Sequence, residues 1–149
     1  MQAILLVSML LINVGFVAGC KKQAAEQTLP VADTMKLNIT IGQTQFKATL
    51  YDNATTAALK KQLPMTVNMV DLNDNEKYFD LPSGLPTDAS NPGTIQVGDL
   101  MLYGANTLVL FYKSFNTSYN YTRIGRIDDT AGLATALGSG NVTVTFNVE

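Results

Sequence analysis

The amino-acid sequence predicts a mainly β protein whose folded part is a closed barrel of about eight strands with two short capping helices. The first observation is that apolar and polar residues alternate over many short segments, which is the period of a half-buried strand. The second is that two short Ala- and Leu-rich runs follow residues able to cap a helix. The third is size, because removing a leader and a spacer from 149 residues leaves about 115, enough for one domain.

The N-terminal 19 residues are predicted to be a lipoprotein signal peptide. They carry no charge and contain a nearly continuous apolar run, which is shorter than the about 20 residues of a membrane span and ends in small residues. The last three of them and the next residue, Val17-Ala18-Gly19-Cys20, resemble a lipobox, in which the cysteine thiol receives diacylglycerol. We therefore expect a bacterial lipoprotein, lipidated on Cys20 and anchored at the cell membrane or cell envelope, outside the cytoplasm. Because no Lys or Arg precedes Cys20, an uncleaved anchor with an incidental free cysteine stays the alternative.

A flexible tether is predicted over residues 20–34. After the cysteine, the sequence KKQAAEQTLPVADT is polar, contains a proline and shows no apolar periodicity. Such a segment cannot bury enough apolar surface to order itself. The folded domain is therefore expected over residues 35–149.

The domain is predicted to begin with a hairpin and a helix. Apolar residues alternate with polar ones over 37–41 and again over 46–51, on either side of a Gly-Gln-Thr turn. The run NATTAALKKQLP then favours a short helix, capped by Asp52 or Asn53 and ended by Pro64.

The rest of the domain is predicted to consist of strands around one long loop and a last helix. The strands are expected over 65–72, 95–103, 107–112, 121–127 and 141–149. Gly125 suggests a bulge. The helix TAGLATAL follows the capping residues Asp128 and Asp129. Residues 73–93 are expected to form a loop of about 20 residues, a length that is often functional.

Composition excludes several kinds of chemistry. The chain has no His and one Cys, so His/Cys metal sites, Ser-His-Asp triads and Cys-His pairs cannot be built within it. The acidic residues of 71–80 lack the spacing of a calcium loop, and no flavin-binding signature is present, so neither metal nor cofactor is expected. A net charge of -2 without a basic run argues against a nucleic acid partner, because the phosphate backbone is bound through concentrated positive charge.

Four motifs, in this order, resemble the cyclophilin-like family of small bacterial barrel domains. They are QFKATLYDNATTAALKKQLP, VGDLMLYG followed by LVLFY, YTRIGRI, and AGLATALGSGNVTVTF. The resemblance spans residues 35–149. It implies a barrel and, for the cyclophilins proper, peptidyl-prolyl isomerase activity.

The same resemblance implies an active site that this sequence does not reproduce. In the family an arginine lies on the strand after the first helix, and a tryptophan and a histidine lie near the strand similar to YTRIGRI. Residues 64–121 contain no Arg, the chain has no Trp or His, and Tyr121 stands about where the histidine would be. No catalytic residue is therefore predicted.

We predict that Tyr103, Phe111, Tyr121 and Arg123 line a ligand groove, because aromatic side chains supply contact area and arginine supplies a carboxylate-shaped fork. Alternatively, Tyr103 and Phe111 fill the barrel and Arg123 is solvated. The predicted function is a non-catalytic module that binds a peptide, a protein or a small ligand. The alternatives are a divergent isomerase using Arg123 with Tyr121, whose turnover Arg123→Ala would abolish, and a domain that serves a redox partner.

Overall fold

The computed structural model describes residues 35–149, which form ten strands and two helices. The predicted signal peptide, Cys20 and the tether up to residue 34 lie outside the described residues. The strands are β1 Lys36–Ile41, β2 Thr44–Leu50, β3 Met65–Leu72, β4 Glu76–Asp80, β5 Thr94–Ile95, β6 Asp99–Tyr103, β7 Thr107–Phe111, β8 Phe115–Asn116, β9 Tyr121–Ile127 and β10 Val142–Val148; the helices are α1 Ala54–Lys60 and α2 Leu133–Leu137.

Eight of the strands close into a barrel in the order β1-β10-β3-β4-β7-β6-β9-β2, and every neighbouring pair is antiparallel. The remaining two, β5 and β8, form a separate two-stranded ribbon. Leu59 of α1 and Leu133 and Leu137 of α2 join the interior cluster, as expected of helices that cover a barrel's openings. The predicted mainly β closed barrel with two short helices is confirmed. Within residues 35–149, neither helix is long and apolar enough to cross a membrane.

The domain has two separate apolar clusters. The larger fills the barrel, and its fully buried members include Leu100, Leu102, Leu108, Leu110 and Phe146. The smaller lies on the opposite face of the same strands and consists of Ile95, Met101, Val109, Phe111 and Tyr121. Strands β6 and β7 are therefore buried on both faces, which explains why their sequences are apolar almost throughout.

The predicted loop over 73–93 is wrong in part, because it contains β4. This strand forms a hairpin with β3, turning at Asn73 and Asp74, both of which have φ of 54°. Asn and Asp tolerate this left-handed conformation better than most residues. Lys77 occupies a buried position on the same face of β4 as Phe79. Because a charged residue stands where an apolar one is expected, the sequence does not show the alternation that predicts a strand.

The predicted strand over 95–103 is likewise divided, into β5 and β6. Between them Gly98 has φ of 87°, a conformation that glycine adopts without a steric penalty. The Asp99 carboxylate stabilises this turn by accepting a hydrogen bond from the backbone N–H of Gln96 at 2.8 Å. The predicted bulge at Gly125 is confirmed, since the register of β6 and β9 shifts there.

Candidate functional site

A groove of about 540 Å³ runs over the outer face of the barrel. Its floor is made by outward-facing residues of β4, β6, β7 and β9. The segment 115–119 and residues of the β3–β4 turn also line it. Five aromatic side chains line it: Tyr78, Tyr103, Phe115, Tyr119 and Tyr121. The groove therefore combines aromatic side chains with polar and acidic ones.

The register of the strands brings the groove residues side by side. Tyr78 on β4 lies opposite Val109 on β7, and Tyr103 on β6 lies opposite both Thr107 and Tyr121 on its two neighbours. Because alternate residues of a strand share a face, these positions form one continuous outer surface. Cross-strand pairing, rather than sequence proximity, assembles the site.

The aromatic rings pack against one another in edge-on and tilted arrangements. The centroid of the Tyr103 ring is 5.6 Å from that of Tyr121 and 6.0 Å from that of Tyr119. The Phe111 ring is 5.5 Å from Tyr121 and 5.7 Å from Phe115. Such contacts hold rings in fixed orientations, so Phe111 supports two residues of the groove from below.

The structure brings together three of the four predicted ligand residues. Tyr103 and Tyr121 line the groove, while Phe111 lies fully buried in the cluster beneath it rather than inside the barrel. Arg123 is exposed and does not line the groove. Its backbone carbonyl accepts a hydrogen bond from Asn53 at 2.9 Å.

Sequence reasoning missed Glu76, Tyr78 and Tyr119. Glu76 and Tyr78 fall within residues 73–93, which were expected to form a loop, and Tyr119 falls between two predicted strands. Recognition of β4 would have revealed Glu76 and Tyr78, because Glu76, Tyr78 and Asp80 alternate along that strand and therefore share its outer face.

Glu76 is the acidic group with the most perturbed ionisation in the groove. The side chain is half-buried, and this burial raises the pKa of its carboxyl to about 7. Burial, together with the charge of Glu76, raises the pKa of Tyr121 to about 12. Among residues 35–149, no Lys or Arg lies within ion-pair distance of Glu76.

The other polar groups near this end of the groove differ in how they are satisfied. Asp80 accepts a hydrogen bond from the hydroxyl of Thr107 at 2.6 Å. In contrast, the side-chain oxygen of Asn75 is buried and accepts no hydrogen bond from the described residues. Within residues 35–149, no three His, Cys, Asp or Glu side chains are grouped so as to hold a metal ion.

We expect Glu76→Gln to stabilise the protein at pH 8 and to leave its stability unchanged at pH 4. The Glu76 carboxyl has a pKa of about 7 in the fold and 4.5 as its ordinary value, so the folded state binds the extra proton between these values. The free energy of unfolding therefore falls as pH rises from the lower value to the higher. Glutamine removes this loss, and allowing for the partial exposure of the group, we expect a gain of about 1–2 kcal/mol at pH 8.

Urea unfolding of both proteins at the two pH values measures this difference. Asp88→Asn is the control, because Asp88 is exposed and does not line the groove. Equal stability of Glu76→Gln and the wild type at pH 8 would contradict a desolvated carboxylate at this position.

Comparisons with known proteins agree with the fold. A family model described as a cyclophilin-like family matches residues 39–147. The solution structure of a hypothetical protein from Archaeoglobus fulgidus is similar, with a TM-score of 0.59 and 18% sequence identity; the match covers 78% of this chain and 95% of the archaeal one. No curated protein matches the sequence.

Proposed function

This chain belongs to the cyclophilin-like family, and we propose that it is an envelope lipoprotein whose barrel binds a small ligand in the outer groove, without catalysis. A groove of about 540 Å³ falls within the range of small-molecule sites, roughly 300–1,000 Å³. A peptide or a protein was also predicted as a ligand. Either would have to insert a segment small enough to fit this volume.

The observation that carries this proposal is where the exposed apolar residues lie. Residues 35–149 expose four large hydrophobic side chains, and three of them line the groove: Leu72, Tyr103 and Tyr119, which are 42%, 45% and 61% exposed. Exposing apolar side chains to water is unfavourable in free energy. Contiguous apolar patches on soluble domains are frequently binding sites.

Binding without isomerisation is favoured by the charge of the groove walls. Rotation of a prolyl amide is opposed by a barrier of roughly 20 kcal/mol, which arises from amide resonance. A cationic donor aimed at the prolyl nitrogen would weaken that resonance. Among the described residues that line the groove, none is Lys or Arg. Arg126 lies elsewhere, with its guanidinium 3.8 Å from the carboxylate of Asp99.

Removal of the groove's exposed rim tests this function. The full-length protein in a nonionic detergent is screened against a panel of small aromatic molecules by ligand-observed NMR. We expect binders whose affinity falls about tenfold or more in Tyr103→Ser/Tyr119→Ser, since each lost ring removes apolar contact area worth on the order of 1 kcal/mol. Tyr51→Ser is the control, because Tyr51 is similarly exposed at 40% but lies outside the groove.

Binders that keep their affinity in the double variant would place the ligand elsewhere. The complete absence of binders in the panel would also count against a small-ligand function.

The membrane anchor in this proposal is supported by sequence alone, because Cys20 lies outside the described residues. The apolar leader and the lipobox-like Val17-Ala18-Gly19-Cys20 favour export and lipidation. Metabolic labelling with an alkyne fatty acid tests it: label is expected on the wild type and lost in Cys20→Ser. Retention of the label in that variant would overturn lipidation at this residue.

A further inference from the structure

We propose that the groove is specific for small organic cations, in which a primary ammonium or guanidinium group is joined to an apolar body. The inference rests on the proposed function, because it names the ligand chemistry of that same groove. Two features of the described residues support it: an acidic group without a cationic partner, and aromatic walls.

The charge of the groove is acidic and is not neutralised by the protein. Glu76 and Asp80 line it, whereas Lys and Arg are absent from the described lining residues. The lysines nearest in sequence are paired with other acids: Lys77 with Asp71, and Lys113 with Asp74 at 2.8 Å. An anionic ligand would be repelled, while a cation would find in Glu76 a half-buried carboxylate to pair with.

The hydrogen-bonding groups of the groove favour a cation that carries N–H donors. The Glu76 carboxylate lines the groove, and no Lys or Arg of the described residues lies within ion-pair distance of it. Leaving a half-buried charged acceptor without a partner costs free energy. A primary ammonium offers three donors and a guanidinium five, so either can donate to this carboxylate, whereas a quaternary ammonium has none to offer.

The tyrosines supply a surface for the rest of such a molecule. Tyr78, Tyr103, Tyr119 and Tyr121 all line the groove, and the rings of Tyr103 and Tyr119 are nearly perpendicular, with an interplanar angle of 87°. The faces of aromatic rings attract cations and bury apolar groups. The ligand's apolar body and its charged end therefore both have partners.

A series of matched probes tests the inference on the full-length protein in a nonionic detergent. Phenethylamine, phenethyl alcohol and phenylacetate share an aromatic body and differ in charge. Isothermal titration at pH 8 is expected to show the amine binding about tenfold more tightly than the alcohol, the gain expected from one charge-assisted hydrogen bond, and the carboxylate binding most weakly.

Variants then assign the preference to one side chain. Glu76→Gln is expected to lower the amine's affinity to that of the alcohol, while the alcohol's own affinity stays unchanged. Asp52→Asn is the matched control, because Asp52 is exposed and outside the groove; it is expected to preserve the amine's advantage.

The possible results separate this inference from the proposed function. Equal affinities for amine and alcohol in the wild type would overturn the cation preference and leave small-ligand binding standing. Failure of all three probes to bind would contradict both. Tighter binding of the peptide acetyl-Phe-Lys-Phe-amide than of phenethylamine, by about tenfold or more, would overturn the assignment to a small molecule, because the lysine side chain would then be the natural cation.

Discussion

Replacing Lys77 with alanine is expected to lower the free energy of unfolding by about 2–4 kcal/mol, because the change truncates a fully buried side chain and leaves two backbone carbonyls without their donor. The Lys77 side chain is fully buried. Its ammonium pairs with Asp71 and donates hydrogen bonds to the backbone carbonyls of Gly138 at 2.9 Å and Gly140 at 2.6 Å. Lys77 on β4 therefore links Asp71 on β3 to the segment that follows α2.

The large effect follows from what the truncation leaves behind. Hydrogen bonds from Lys77 and Tyr112 lower the pKa of the Asp71 carboxyl, and the Lys77 ammonium also lies 5.1 Å from the centre of the Tyr112 ring. When the ammonium is removed, the partly exposed Asp71 carboxylate keeps its hydrogen bond from Tyr112, but two backbone carbonyls lose their donor at once. Each such group costs free energy when left unsatisfied in the interior.

Lys113→Ala is the matched control for this experiment. Lys113 also pairs with an acid of the β3–β4 turn, Asp74 at 2.8 Å, but its side chain is about half exposed. Exposed ion pairs contribute little to stability. Urea unfolding should therefore show a large loss for Lys77→Ala and a small one for Lys113→Ala. Similar losses in the two variants would mean that Lys77 is not a structural centre of the barrel.

Phe111→Ala is expected to cost about 3–5 kcal/mol of unfolding free energy, as for other buried aromatic residues, and to abolish ligand binding in the groove. Phe111 is fully buried in the outer cluster and supports the rings of Tyr121 and Phe115. Removal of its ring leaves a cavity directly beneath the groove, so both supported rings lose the contacts that orient them.

Phe146→Ala separates the two effects. Phe146 is also fully buried, but it belongs to the interior cluster. Its truncation should therefore reduce stability by a similar amount while ligand affinity is retained at a temperature where the protein remains folded. Denaturant unfolding and calorimetric titration of both variants measure the two quantities. Retained affinity in Phe111→Ala would contradict a groove supported by the outer cluster.

The barrel could be predicted from the sequence because most of its strands show the pattern that burial on one face imposes. Strands β6 and β7 could be located as well, but their apolar sequences do not say what covers the second face. That cover is the ribbon of β5 and β8, each only two residues long, too short to produce a pattern. The outer cluster, and with it the groove, was therefore not predictable as a surface.

The candidate site was only partly predictable, for reasons that lie in particular residues. Tyr103 and Tyr121 were predicted because their strands were recognised and because aromatic side chains supply contact area. Glu76 was missed because Lys77, a charged residue at a buried position, breaks the apolar alternation by which β4 would have been recognised. Arg123 was predicted to line the groove, but it pairs with Met101, which precedes Tyr103 on β6, and it is exposed and not among the described residues that line the groove.

The central claim, that the tyrosine-lined groove is the ligand site, is tested most directly by NMR of the full-length protein with carbon-labelled tyrosine. On addition of phenethylamine, the ring resonances of Tyr103, Tyr119 and Tyr121 should shift together and saturate, while those of Tyr51, an exposed tyrosine outside the groove, should not. Equal shifts at Tyr51, or saturable binding that leaves the three groove tyrosines unmoved, would contradict the claim.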